Sequence, residues 1–287
     1  MQNAECRMQN VQMNVFVYYI CVKRKMKWMG FYMCGRYLLE DEAYADILQI
    51  LHDIKAAKDR INMDNISRVD NLVEQSTVHD MIDSGQLAHG EIFPAGLAPV
   101  VANYEIVAMK WGFPHWKNPS VIINARSETA AEKNMFRRPL KERRCVIPSS
   151  GFYEWSRSDS ASRIGDTSRN GITSHSSNLP LNNNFLHGSN NHPRNSKRKP
   201  KDKYLFRLPD TPTLYMAGIS NTFRDALGIE YDAFTILTTA ANDSVEPFHD
   251  RMPVILAPDE IDLWITDNVF TGVALHRPGP ELTATLS

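Results

Sequence analysis

The sequence predicts an α+β fold: a β-rich barrel or sandwich with peripheral helices, built as a single domain. Two observations lead there. Many short runs of strand composition lie between residues 91 and 239, with Gly, Pro and polar turns between them. Sustained helical spacing is confined to one stretch, Leu38 to Ile54. The 287 residues suffice for a sizeable core.

Residues 1–32 are rich in Met, Asn and Gln and show no clear periodicity. They read as an N-terminal extension, a tail or one added strand from Val15 to Ile20. Its origin is either a start codon placed too early or a removable leader, with Met29 and Met33 as alternative starts. From Cys34 onward the text is globular. Leu38, Ala43, Ile47, Ile50, Leu51 and Ile54 recur at helical spacing, with Glu40, Asp41 and Glu42 near the start, where negative charge suits the helix dipole. Residues 55–90 are polar and mixed, and predict a helix or two with loops.

Strands are predicted at Glu91 to Phe93, Leu97 to Val101, Glu105 to Trp111, Val121 to Ile123 and Arg144 to Ile147. They continue at Gly151 to Trp155, Tyr204 to Arg207, Leu214 to Ile219 and Phe234 to Thr239. Residues 156–203 break the pattern, being crowded with Ser, Asn, His, Gly and basic residues. Such composition buries too little apolar surface to offset ordering, and predicts a disordered insertion between two strands. Its end holds Arg194, Lys197, Arg198, Lys199, Lys201 and Lys203, a solvated charge run or a site of non-specific phosphate attraction.

Composition limits the function classes. A net charge of −1 excludes a globally basic nucleic-acid coat but leaves room for a local basic groove. The cysteines, Cys6, Cys21, Cys34 and Cys145, show no zinc spacing, so reduced thiols in a cytoplasmic protein are expected, with no metal and no cofactor. The best apolar run, Val15 to Val22, is far short of the roughly 20 residues a membrane-spanning helix needs. Its basic cluster also follows the apolar stretch, the reverse of a signal peptide.

Four segments carry chemistry. Met33-Cys34-Gly35-Arg36 resembles a chain start inside the sequence. If Cys34 were N-terminal, its free amine and thiol would form a 1,2-aminothiol. Ile123-Asn124-Ala125-Arg126-Ser127-Glu128-Thr129 runs from a strand into a polar turn and helix. Gly151-Phe152-Tyr153-Glu154-Trp155 places one carboxylate among aromatics. Phe248-His249-Asp250-Arg251-Met252-Pro253 sets a His-Asp-Arg cluster in a loop. Singly, Asn124 and Arg126 read as turn and surface residues, Glu154 as an edge-strand carboxylate and His249 as a loop histidine. Together they are the parts of a nucleophilic site with acid–base support.

In combination these motifs, with Phe93-Pro94-Ala95 and Trp111-Gly112, resemble the SRAP family, the SOS-response-associated peptidase-like proteins that process abasic sites in DNA. The resemblance runs from Met33 to about Trp264 and implies an SRAP domain over 33–287, interrupted at 156–203. It implies a monomer that binds single-stranded DNA carrying abasic sites, without a membrane, cytoplasmic and nucleoid-associated when on DNA. In the family the initiator Met is removed, and the exposed Cys joins covalently to the abasic sugar. Carried onto this sequence, the catalytic residues are Cys34, Asn124, Glu154 and His249. Cys34 would form a Schiff base and then a thiazolidine, with some lyase character through the imine. Glu154 would handle protons, His249 would assist sugar opening, and Asn124 would orient the amine or the sugar. Arg36 and Arg126 would hold phosphates, while Pro94 and Trp116 would stack or wedge at exposed bases. Trp111 is expected in the core. The alternative is a cysteine (auto)peptidase with Cys34 as nucleophile and His249 as base; a plain single-strand binder is the blandest option.

The chain departs from the family pattern in three places. Cys34 is preceded by an extension that locks its nitrogen in an amide. The 156–203 insertion is longer than a hairpin needs. The segment after Trp264 is short and contains Pro278-Gly279-Pro280, so a closing strand found in some relatives is expected to be absent.

Overall fold

The computed structural model describes residues 35–62, 90–115, 117, 119–157 and 201–287, with backbone only over 57–62. Expectations for the extension, Cys34, Trp116, residues 63–89 and the bulk of the insertion lie outside the described residues.

The chain enters through β1 (Tyr37–Leu39) and the long helix α1 (Asp41–Asn62). β2 (Gly90–Ile92), β3 (Leu97–Ala102), β4 (Glu105–Trp111), β5 (Phe113–Pro114), β6 (Val121–Ile122) and β7 (Asn124–Arg126) follow. Two short helices, α2 (Ser127–Ala130) and α3 (Asn134–Glu142), lead to β8 (Arg144–Ser149) and β9 (Gly151–Trp155). Next come β10 (Lys203–Arg207), β11 (Leu214–Arg224), β12 (Glu230–Ala240), β13 (Arg251–Pro253) and β14 (Ile255–Leu256). The chain then forms α4 (Ile261–Thr266), α5 (Asn268–His276) and β15 (Thr283–Leu286).

β12, β4, β3, β8 and β11 pair in sequence, and β11 returns to β12, so these strands close into a barrel. Only the β12–β4 contact of this ring is parallel. β7 and β13 extend β12, and β14 pairs with β11. A second sheet, in the order β15-β10-β9-β1-β2, covers one flank. Alternation along its strands sends Tyr37, Leu39, Phe152 and Phe206 inward. There they join Trp111, Phe234 and Ile236 of the barrel in one apolar cluster. Tyr37 meets Trp111 edge-on at 5.1 Å, and Trp111 lies parallel to Phe234. Each such ring contributes about 1.5–3 kcal/mol by burial. A second cluster, on the side of α1, α3, α4 and α5, gathers Ile47, Leu51, Phe136, Trp264 and Leu275. Arg144, almost fully buried, fastens α4 and α5 to β8 through the carbonyls of Trp264 and Ile265 and the side chain of Asn268.

The predicted α+β architecture is the one observed, with Glu105–Trp111 and Gly151–Trp155 matching their predicted bounds. Two expectations are corrected. Leu38 belongs to β1, not to the helix: it pairs with Gly151 and Glu91, and the helix starts at Asp41. The closing strand is present as well, because β15 pairs along β10 from Tyr204↔Leu286 to Arg207↔Thr283. All four β15 residues are exposed, so no apolar alternation announced it; backbone bonding to the open edge of β10 places it. β9 and β10, the strands on either side of the insertion, are antiparallel partners. Beyond β9, Ser156 donates its N–H to Asp202 at 2.8 Å and accepts from the Asp202 N–H at 3.0 Å. Among the described residues no helix is long and apolar enough to cross a membrane.

Candidate active site

The inward face of β9 holds Phe152 and, two residues on, Glu154, which is only 2 % exposed. Phe152 stacks on Phe206 at 5.3 Å, so the carboxylate sits beside a tightly packed aromatic pair. Its partner across β10 is Tyr204. The Tyr204 ring meets Phe248 at 4.7 Å, and Phe206 meets the same ring at 5.1 Å. The loop that carries His249 is thereby packed against the face that carries Glu154.

That loop is shaped by its own residues. The Asn242 carbonyl accepts from Val245 and Glu246 N–H, while its side-chain amide donates to the carbonyls of Gly279 and Pro280. Val245 is fully buried and anchors the turn. His249 donates its own N–H to the Val245 carbonyl at 3.0 Å. Its Nδ1 accepts the Arg251 N–H at 3.0 Å and lies 2.9 Å from Asp250 Oδ1. Burial holds the imidazole pKa below its ordinary value; the Asp250 carboxylate opposes that shift, and the Arg157 charge adds to it. Arg157, just past β9, pairs with Glu246 of the loop at 3.3 Å, a second tie between the two segments.

The Asn-Ala-Arg motif arrives through the barrel. β7 runs parallel to β12, with Asn124 opposite Ile236 and Arg126 opposite Thr238. β13 pairs with the following stretch, Ala240↔Arg251 to Thr238↔Pro253. The Arg251 guanidinium donates to the Thr238 carbonyl at 2.5 Å and grips both oxygens of Glu128. That grip holds the Glu128 carboxyl below the usual range, although burial opposes it. Asn124 is half-buried and Arg126 exposed. The end of β12 therefore joins the Asn124–Glu128 and His249–Arg251 segments, while Phe248 and Arg157 join the latter to Glu154.

The start of β1 completes the convergence. Arg36 accepts the Tyr153 N–H at 3.0 Å, so the chain immediately after Cys34 lies beside β9. The Arg36 side chain, however, shares the outer face with Trp155 and Tyr153, opposite to that of Glu154. It lies over Phe93 at 4.7 Å and Trp155 at 5.3 Å and bonds Glu91 at 2.9 Å. The second Glu91 oxygen takes Lys203, whose ammonium is 3.8 Å from the Tyr153 ring centre. Burial pushes the Glu91 pKa up, but its bonds to Lys203 and Arg36 outweigh that and leave it below the usual range. Pro94 is buried in a turn closed by Gly96 N–H to the Phe93 carbonyl, with Ala95 at φ 65°. The half-buried Phe93, not Pro94, carries the accessible ring there. Sequence reasoning missed Glu91 and Arg157 as site residues, and it named Lys203, Glu128 and Arg251 without their contacts. Their contacts join residues far apart in the chain, and no local spacing announces them.

The family profile described as SOS response associated peptidase (SRAP) matches residues 33–168 and 192–278. The chain belongs to the SRAP family. The break in the SRAP match falls inside the 156–203 insertion. Among curated relatives, abasic site processing protein YoaM of Bacillus subtilis is 32% identical over 169 residues, covering 57% of this chain and 58% of that protein. Abasic site processing protein YoqW of the same organism is 27% identical over 209 residues, covering 69% and 76%. Abasic site processing protein HMCES of Rattus norvegicus is 30% identical over 179 residues, covering 56% of this chain and 44% of HMCES. The match thus spans little more than half of YoaM and under half of HMCES. A crystal structure of a Bacteroides thetaiotaomicron protein superposes with TM-score 0.56 at 20% identity, covering 88% of this SRAP chain and 91% of that one. That likeness establishes a shared fold.

Proposed function

We propose that this SRAP protein processes abasic sites in DNA, binding the single-stranded form and joining to it through Cys34 once Cys34 is N-terminal. The observation that carries the proposal is the buried Glu154 on the strand that flanks the chain just after Cys34. The names of its relatives point to the same substrate. An abasic deoxyribose opens to an aldehyde. An α-amine, with a pKa of about 7.7–8.0, is far more often neutral at pH 7 than a lysine near 10.4, and so adds to that aldehyde. Loss of water gives the imine, and the thiol of the same residue closes on it as a thiazolidine. The thiol is attached to the carbon next to the amine-bearing one, so the closure gains the advantage of an intramolecular reaction.

In this proposal Glu154 moves protons during addition, dehydration and reversal. His249 assists opening of the sugar ring, and Asn124 orients the amine or the sugar. Arg126, exposed beside the end of β12, takes a phosphate without reading sequence. Arg36 takes another once it leaves Glu91, while Phe93, Trp155 and Trp116 offer rings to unpaired bases. The protein acts as a monomer in the compartment that holds the DNA. A transient lyase activity follows if the imine eliminates before the thiol closes.

The family description favours a second reading, a cysteine peptidase acting at Met33-Cys34 with His249 as base. The variant Cys34→Ser separates the readings when it is made in a chain that begins at residue 34 after removal of Met33. On the abasic-site reading it keeps a borohydride-trappable imine with abasic single-stranded DNA and loses the heat-stable adduct. Absence of both products in the unsubstituted, Met33-processed chain would refute the abasic-site reading.

A further inference from the structure

His249 Nδ1 has two partners that cannot both be served by one protonation state. A backbone N–H can only donate, so the Arg251 contact at 3.0 Å requires a bare Nδ1 lone pair. A carboxylate at 2.9 Å is favourable only if Nδ1 carries a proton. With the Arg251 bond made, the neutral ring holds its single proton on Nε2, which then acts as a donor. When the ring takes a second proton, it goes to Nδ1, and that N–H donates to Asp250 while the Arg251 N–H loses its acceptor. If the charged ring then gives up its Nε2 proton, the neutral ring left behind is the opposite tautomer. Its Nε2 is a base, held in place by Nδ1–H and Asp250.

We propose that Asp250 is a positioning residue for His249, and that the Asp250 carboxylate and the Arg251 N–H together select whether Nε2 gives or takes a proton. The proposal rests on the abasic-site reading for its place in a reaction, because sugar opening and imine reversal need opposite proton transfers. The Arg251 arm is held rigidly, since its guanidinium is fixed by Glu128 and the Thr238 carbonyl. The Asp250 arm is free to swing, with a side chain 73 % exposed. The other titratable groups around His249 are Arg157 at the end of β9, itself paired with Glu246, then Arg251, and Glu154 on the β9 face against which the loop packs. Across the loop, the neighbours of Phe248 are the rings of Tyr204 and Phe206. Asp250 therefore meets the ring directly, at Nδ1.

The test uses the full chain with ¹⁵N-labelled histidine, assigning His249 among the nine histidines by its absence in His249→Gln. Long-range ¹H–¹⁵N correlation above the histidine pKa should show the Nε2–H tautomer with Nδ1 as acceptor. In Asp250→Ala and Asp250→Asn the protonation constant of His249 should fall about three- to fivefold, the size an exposed ion pair supports. Because Asp250 is exposed, neither variant endangers the fold. An Nδ1–H tautomer in the neutral protein, or an unchanged protonation constant in both variants, would overturn the assignment. This readout contains no DNA, so its failure is distinct from a failure of the abasic-site reading. With abasic DNA and a chain begun at Cys34, Asp250→Ala should also move the acid limb of the adduct-reversal pH profile down by the same factor. A reversal profile identical to the parent would equally overturn it.

Discussion

Gly151 tests whether the approach of β9 to β10 positions Glu154. The residue opens β9 at φ +155°, and a Cβ added there would stand 2.5 Å from the Phe206 carbonyl oxygen and 2.9 Å from Leu205 Cδ1. The first of these neighbours is backbone in a paired strand, so it cannot swing away as a side chain can. Reaching even 3.0 Å requires the strands to part by about 0.5 Å, the difference from the 2.5 Å contact. Overpacking of this kind costs about 1–3 kcal/mol. Forcing a residue with a Cβ into a conformation suited to glycine adds about 1–3 kcal/mol. Gly151→Ala should therefore lose about 2–6 kcal/mol of stability. With a urea m-value of about 2 kcal/mol/M, the unfolding midpoint should fall by about 1–3 M. Because the same displacement moves Glu154 relative to the chain after Cys34, adduct formation should slow even where the variant is fully folded. A midpoint within about 0.3 M of the parent would refute the packing account of β9 and β10.

Two further outcomes follow. Glu154→Gln, close in shape but unable to exchange protons, should slow adduct formation and reversal by about 10²–10⁴-fold, read by gel quantification over time; an unchanged rate would remove Glu154 from the chemistry. For His249, burial lowers the folded-state pKa below the unfolded value near 6.5. The folded state thus resists protonation more than the unfolded chain does. The stability linked to this group is complete above about pH 6.5 and is lost as pH falls through the folded-state value. Urea midpoints at neutral and mildly acidic pH should show that loss, and His249→Gln should flatten the difference. Equal slopes in both proteins would contradict it.

Long strands and the aromatic-flanked carboxylate were readable from residue order because burial there is local and repetitive. Glu105–Trp111 and Gly151–Trp155 each carry enough alternating residues to declare a strand and its faces. β1, β7, β13 and β14 are two or three residues long, below the length at which a period of two can be recognised. They exist because longer neighbours offer open backbone groups, as β12 does for β7 and β13. Leu38 shows the same override, since sheet pairing claims a residue whose spacing fits the helix. β15 is fully exposed and had no apolar signature at all.

The site divides along the same line. Glu154 and His249 could be picked out by type and setting, and the fold brings their segments together through Phe248, Tyr204 and Arg157. Arg36 could be named, but not its contact with Glu91 or its place across the sheet from Glu154. Those depend on register, and a shift of one residue would reverse the face. The same holds for Pro94, whose burial follows from the turn between β2 and β3.

The central claim is that the nitrogen of Cys34, once free, becomes bonded to an abasic site. Intact mass spectrometry of a chain begun at Cys34, mixed with abasic single-stranded DNA, tests it most directly. A species equal to protein plus oligonucleotide minus one water is expected, stable to heat and absent when the full chain with its blocked nitrogen is used. No such species, or the same species from the full chain with residues 1–33 still attached, would contradict it.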